Sequence, residues 1–158
     1  MSILSSLTSI PSYFSTSLSN YFGWGKNYYE LRVALDIGSA ATKARGYIFD
    51  RANSKVVEDL GEISESVEYQ FHLNDSNNIV KPEYIYLGIS KILKIISHYY
   101  ENSNFQIDHL KCAGIATAWA RNAKNIGDYQ KILKANGIDV KVVKQEEEAE
   151  IGNKAAVS

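Results

Sequence analysis

Polar and apolar residues alternate from Leu31 to Ile37, with Val33, Leu35 and Ile37 on one side, the pattern of a buried strand. Gly38 and Ser39 interrupt it, and Thr42 to Phe49 reads as the returning strand of a hairpin. Asp50 to Ser54 is expected to turn, Lys55 to Leu60 to form a short third strand, and Ser64 to Leu73 an extended stretch. Asn74 to Asn78 reads as a loop, with Asp75, Ser76 and Asn77 supplying turn chemistry. The period then changes. Pro82 suits the first residue of a helix, and Ile85, Ile89, Ile92, Ile96 and Tyr99 follow at steps of four and three. That stripe predicts a core-facing helix of about five turns.

Leu110 to Ala116 is the next strand, carrying Cys112 as a small core residue. Asn125 is placed to cap a helix from Ile126 to Asn136, which Asn136-Gly137 would stop. Ile138, Val140 and Val142 alternate along a last strand, and Glu146, Glu147 and Glu148 open a final helix at its positive end. A hairpin followed by helix, strand, helix, strand and helix predicts an α/β or α+β lobe with a mixed sheet.

Residues 1–26 stand apart. The first 25 carry no charge, are rich in serine, and place Ile3, Leu4, Leu7 and Ile10 at helical spacing before Pro11. They lack the basic segment of a secretory signal and the arginines of a mitochondrial presequence. A flexible tail is the expectation, with little tendency to bind membranes; a surface or partner-docking helix built on Phe14, Trp24 and their neighbours is the alternative. Residues 30–158 form the expected lobe.

Composition narrows the class further. The 158 residues are 45% hydrophobic and 22% charged, which is globular rather than disordered. Seventeen basic side chains oppose 18 acidic ones, so no overall positive field draws the chain to nucleic acid. The single cysteine excludes an internal disulfide and fits a reducing compartment, so a cytoplasmic location is expected. His72, His98 and His109 lack metal-ligand spacing and read as structural or surface residues.

Three clusters carry candidate chemistry. Asp36-Ile37-Gly38-Ser39-Ala40-Ala41-Thr42-Lys43 sits at the first strand turn, where small residues let backbone N–H groups face an anion and Ser39 and Thr42 add hydroxyls. Asp36 could hold a magnesium ion there through water. In Thr117-Ala118-Trp119-Ala120-Arg121, a turn into helix would aim Arg121 back over the strand tips, where its guanidinium could clamp a phosphate. In Gln145-Glu146-Glu147-Glu148-Ala149, a glutamate near a phosphate could act as general base on water. Each has a plain reading too: a tight hairpin, a capping threonine with a solvated arginine, and carboxylates on a helix dipole.

In order and spacing, the segments "DIGSAA", "TAWARNAKN" and "KQEEEAEI" resemble the "DLGSNS", "TxxxRxAxN" and "SGxEEARL" segments of the exopolyphosphatase/guanosine pentaphosphate phosphohydrolase (Ppx/GppA) family, within the actin-like phosphotransferase superfamily. The resemblance covers about residues 30–157 and implies the family's N-terminal lobe, an actin-like, ribonuclease H-like unit with helices flanking a mixed sheet. It implies that Asp36 approaches metal and phosphate, Gly38 and Ser39 belong to a phosphate loop, Arg121 contacts substrate phosphate, and Glu148 is the catalytic base. The implied reaction is magnesium-assisted water attack on a terminal phosphoanhydride of polyphosphate or guanosine pentaphosphate.

The departures are Ala40-Ala41 for Asn-Ser, Glu150 for the arginine of "EEARL", and Lys144-Gln145 for Ser-Gly. The family's second phosphate loop, "DxGGGST", has no counterpart in these residues, so this stretch alone is expected to be inactive, with a missing second lobe or a homodimer as partner. Two other functions remain open: a non-catalytic relic that binds phosphate ligands or a partner, and a lobe of another actin-like kinase.

Overall fold

In the computed structural model, which describes residues 28–75 and 77–156, five strands form one mixed sheet. They are β1 (Tyr29–Ile37), β2 (Ala41–Asp50), β3 (Lys55–Ser66), β4 (Ile107–Ala116) and β5 (Ile138–Val142), in spatial order β3-β2-β1-β4-β5. β1 is central, antiparallel to β2 and parallel to β4, and β5 continues the parallel side. The serine-rich tail lies outside the described residues.

The alternation in β1 puts Leu31, Val33, Leu35 and Ile37 on one buried face, level with Ile48, Ala44, Cys112 and Ala116 on the neighbouring strands. A parallel return needs a crossover, and α2 (Pro82–Asn102) provides it between β3 and β4. Pro82 opens this helix, and Ile85, Ile89, Ile92, Ile96 and Tyr99 are all buried, joined by Ile95. Where α2 meets the sheet, the Tyr99 ring lies over Gly46, at which an added Cβ would approach the ring to 2.9 Å. The Tyr99 hydroxyl shares its hydrogen between the carbonyls of Ala44 (2.8 Å) and Gly61 (2.9 Å).

Two expectations from the pattern are corrected. The third strand does not end at Leu60. Gly61 adopts φ +78°, and two register shifts opposite Gly46/Tyr47 and Ile48/Phe49 absorb extra residues, so the strand bends and continues to Ser66. The stretch from Ser64 to Leu73 is not extended throughout, because Tyr69–Asp75 is a helix, α1. Glu68, at φ +58°, ends the extended chain. The N–H groups of Val67 and Glu68 then donate to Ala40 O, and that of Gln70 to Ser39 O. Tyr69 and Leu73, four apart, are both inaccessible, which is helical spacing that polar neighbours had disguised.

The helix α4 (Ile126–Ala135) starts at Asn125 and stops before Gly137 at φ +74°. Asn125 does not cap it with its side chain. Instead its amide oxygen accepts from Val80 N–H (2.9 Å) and its amide nitrogen donates to Val80 O (2.8 Å), tying α4 to the lead into α2. His72 stacks on Tyr84, while His98 and His109 are exposed. No helix among the described residues is long and apolar enough to cross a membrane.

Candidate functional site

The C-terminal ends of the three parallel strands β1, β4 and β5 lie side by side, and all three candidate clusters follow from them. Backbone bonds hold these ends together. Ile37 O accepts from Thr117 N–H (3.3 Å) and from the Trp119 indole N–H (2.8 Å), and Ala116 O accepts from Val143 N–H (3.1 Å). Beyond Thr117 the chain enters a short helix, α3 (Ala118–Asn122), because the N–H groups of Ala120 and Arg121 both return to Thr117 O. Trp119 and Ala120 face the core, so Arg121 is left on the outer side, over the strand ends.

There Arg121 Nη1 donates to Val143 O (2.8 Å) and to Glu148 Oε2 (2.9 Å). Both side chains are partly exposed, at 28% and 41%. They border a depression of about 530 Å³ completed by Ala118, Gln145 and Ala149. Glu148 reaches it from α5 (Gln145–Ala156).

The three consecutive glutamates have separate surroundings. Glu147 turns back to accept Lys144 N–H (2.9 Å) and the Lys141 ammonium (2.8 Å), closing the helix start as a capping box does. Those bonds lower its pKa, that from Lys141 most. Glu146 is exposed. Only Glu148 meets Arg121.

The turn after β1 is tight: Gly38 N–H donates to Ala41 O (2.9 Å), and a Cβ at Gly38 would stand 3.1 Å from that oxygen. One N–H expected to face a ligand is therefore engaged within the turn, and Ser39, partly exposed, remains at its tip. Thr42 is set apart from the other candidates. It pairs with Ile37 on the buried face, is wholly inaccessible, and its hydroxyl has no hydrogen-bond partner. In this arrangement it presents no donor to a ligand on the open side.

Asp36 faces the opposite, accessible side beside its cross-strand neighbour Lys43. Loss of hydration raises its pKa; Lys43 opposes this, and the negative charges of Glu148 and Glu62 reinforce it. Asp36 thus senses Glu148 across the strand ends. Among the described residues no three His, Cys, Asp or Glu side chains gather to hold a metal. One or two carboxylates with water and substrate oxygens do suit magnesium, which seldom takes an all-protein cage.

Three contributors had no role in the pattern of the sequence: the Val143 carbonyl, which anchors Arg121; Lys43, which balances Asp36; and the Trp119 indole. Lys43 could have been placed from a hairpin register, whereas the other two depend on how distant segments pack.

A central strand between an antiparallel hairpin and two parallel strands, with crossover helices, makes a mixed α/β lobe. No protein-family model matches the sequence, and no curated protein does. Solved structures are similar. The Aquifex aeolicus member of the Ppx/GppA family shares 19% identity over 76% of this chain and 37% of its own, with a TM-score of 0.57. An exopolyphosphatase from Cytophaga hutchinsonii shares 17% identity over 76% of this chain and 36% of its own, again at 0.57. The chain spans about 37% of the length of the first of these. At such identities the likeness establishes the fold.

Proposed function

We propose that this lobe belongs to the Ppx/GppA family and binds the phosphoryl end of a phosphoanhydride chain, as part of a site that hydrolyses it. The observation that supports this most is the meeting of Arg121 and Glu148 in one depression at the end of the sheet, beside the Gly38 turn and Asp36. Arg121 supplies the guanidinium that suits phosphoryl oxygens in two-point contact. Glu148, partly exposed, is the carboxylate to orient and deprotonate a water. Asp36, with Glu148 near it, would hold magnesium, which when bound spreads the charge of the phosphoryl group. The Ser39 tip adds polar contacts from the first turn.

Phosphoryl transfer depends on donors placed around the moving group, and these residues approach it from one side. Removing one positioned donor costs roughly a hundred- to a thousandfold in rate. The 158-residue chain by itself is therefore expected to bind pyrophosphate or polyphosphate weakly with magnesium, and to hydrolyse polyphosphate no faster than buffer. Titration calorimetry with Arg121→Ala tests the reading. Unchanged pyrophosphate binding in that variant would remove Arg121 from the site. Phosphate release that vanishes in Glu148→Gln would show that this chain alone builds a working site.

A further inference from the structure

Both hydrogens on Nη1 of Arg121 are engaged, and the two acceptors differ in kind. Val143 O belongs to a backbone that is itself fastened to β4 through Val143 N–H and Ala116 O. It cannot leave without opening the strand ends. Glu148 Oε2 belongs to a partly exposed side chain on the first turn of α5. An anion that takes Nη1 from the depression therefore replaces the Glu148 carboxylate, not the carbonyl, while one held by Nη2 or Nε still meets the repulsion of Glu148.

We infer that Glu148 is an intramolecular competitor for Arg121, and that this competition lowers the affinity of the site for every anion by a common factor, so that only strongly bound ones occupy it. The inference rests on the phosphoryl-binding reading above and gives Glu148 a part in selection, separate from any action on water. A carboxylate free in solution carries the same single charge as Glu148 and lacks its tether, which keeps the internal group at a high effective concentration. Such an anion stays out. A terminal phosphoryl group brings nearly two charges and three acceptor oxygens, so its attraction to the guanidinium exceeds that of Glu148.

A partly exposed ion pair is weak, and breaking it costs a factor of roughly two to five. Removing the charge of Glu148 also removes its repulsion of the bound anion, so the combined change is about three- to tenfold.

The test is calorimetric titration of the full chain, without metal, using inorganic pyrophosphate and, separately, acetate. Glu148→Gln keeps the shape and loses the charge. It should bind pyrophosphate about three- to tenfold tighter than the wild type, and acetate, with a single charge to be repelled, should gain by a smaller factor. Glu148→Asp keeps the charge but draws it back by one methylene, and should show part of that gain. Glu147→Gln makes the same charge change one residue away without touching Arg121, and should leave pyrophosphate affinity nearly unaltered.

Equal pyrophosphate affinity in wild type and Glu148→Gln, with Arg121→Ala abolishing binding in both, overturns the competition while leaving the phosphoryl site standing. An equal gain in Glu147→Gln also overturns it, since the effect would then be one of net charge. If neither wild type nor Glu148→Gln binds pyrophosphate, with magnesium added or without it, the phosphoryl-binding reading fails, and the competition with it.

Discussion

The indole N–H of Trp119 donates to the carbonyl of Ile37 at 2.8 Å, joining the end of β1 to the helix that carries Arg121. The same ring stacks on Tyr69, with centroids 4.0 Å apart and planes 9° from parallel, and the Tyr69 hydroxyl meets that of Tyr129 at 2.9 Å. Tyr69 begins α1, whose next residue is bonded to Ser39 O. A chain of contacts with Tyr69 and Trp119 at its buried centre thus runs from the Ser39 turn to the helix that carries Arg121.

Trp119→Phe keeps an aromatic ring at the stack and removes the donor. Ile37 O retains the Thr117 N–H, so the expected loss is about 1 kcal/mol by chemical denaturation. Trp119→Ala also empties a large core site and should cost about 3–5 kcal/mol. A Trp119→Phe variant as unstable as Trp119→Ala would show that the hydrogen bond, not the ring, holds these segments.

A Cβ on Gly88 would overlap the Tyr69 hydroxyl. Gly88→Ala should therefore destabilise by about 1–3 kcal/mol through overpacking. Tyr69→Phe leaves the Tyr129 hydroxyl unpaired, a cost of about 1–2 kcal/mol. In the double variant the missing hydroxyl makes room for the methyl, so the combined loss should fall short of the sum. Strict additivity in denaturation midpoints would mean that the helix shifts as a whole.

Burial pushes the Cys112 thiol from 9.0 up to about 12. The thiol should be inert to a disulfide reagent in the native protein and react at the rate of unfolding. Its folded pKa is raised, so the unfolded state loses the proton first as pH rises. The stability that Cys112 contributes is complete below pH 9 and declines toward pH 12, with a slope of at most about 1.4 kcal/mol per pH unit. Tyr69 is also pushed up to about 12 by burial, so the test compares wild type with Cys112→Ala. The variant should have the shallower alkaline slope.

Glu147 provides the opposite sign. Its bonds to Lys141 and to Lys144 N–H hold its pKa below the ordinary 4.5. Its contribution is present above that value and is lost as pH falls through the lower folded pKa. Glu147→Gln should speed hydrogen exchange at Lys144 N–H at neutral pH and lose that difference in acid. Exchange at Lys144 that ignores the substitution would rule out the cap.

Much of this arrangement is written in local pattern. The alternation in β1, the Ile stripe of α2 and the Gly137 stop follow from periods of 2 and 3.6 and from a glycine that tolerates φ +74°. Clusters at Asp36, Arg121 and Glu148 were also visible, because small residues and charges after strand ends are unusual enough to notice. The helix of α1 was not legible, since the two residues before it are bonded to Ala40 O and its second residue to Ser39 O, some 30 residues earlier. Nor was the behaviour of Asn125, whose amide found the backbone of Val80 instead of its own helix.

The sequence by itself determined the strands β1, β2, β4 and β5, the helices α2, α4 and α5, and the inward side of β1 and α2, because those properties depend on neighbours within a turn or two. It also determined that Arg121 and the glutamates lie just past strand ends. Only the tertiary structure decided which glutamate Arg121 meets, since Glu147 and Glu148 differ by 100° around a helix and the choice depends on where α5 lies against α3. It likewise decided that Thr42 is shut in the core while Asp36, six residues before it, stays open: the hairpin register pairs Thr42 with Ile37 on the buried face and Asp36 with Lys43 on the other.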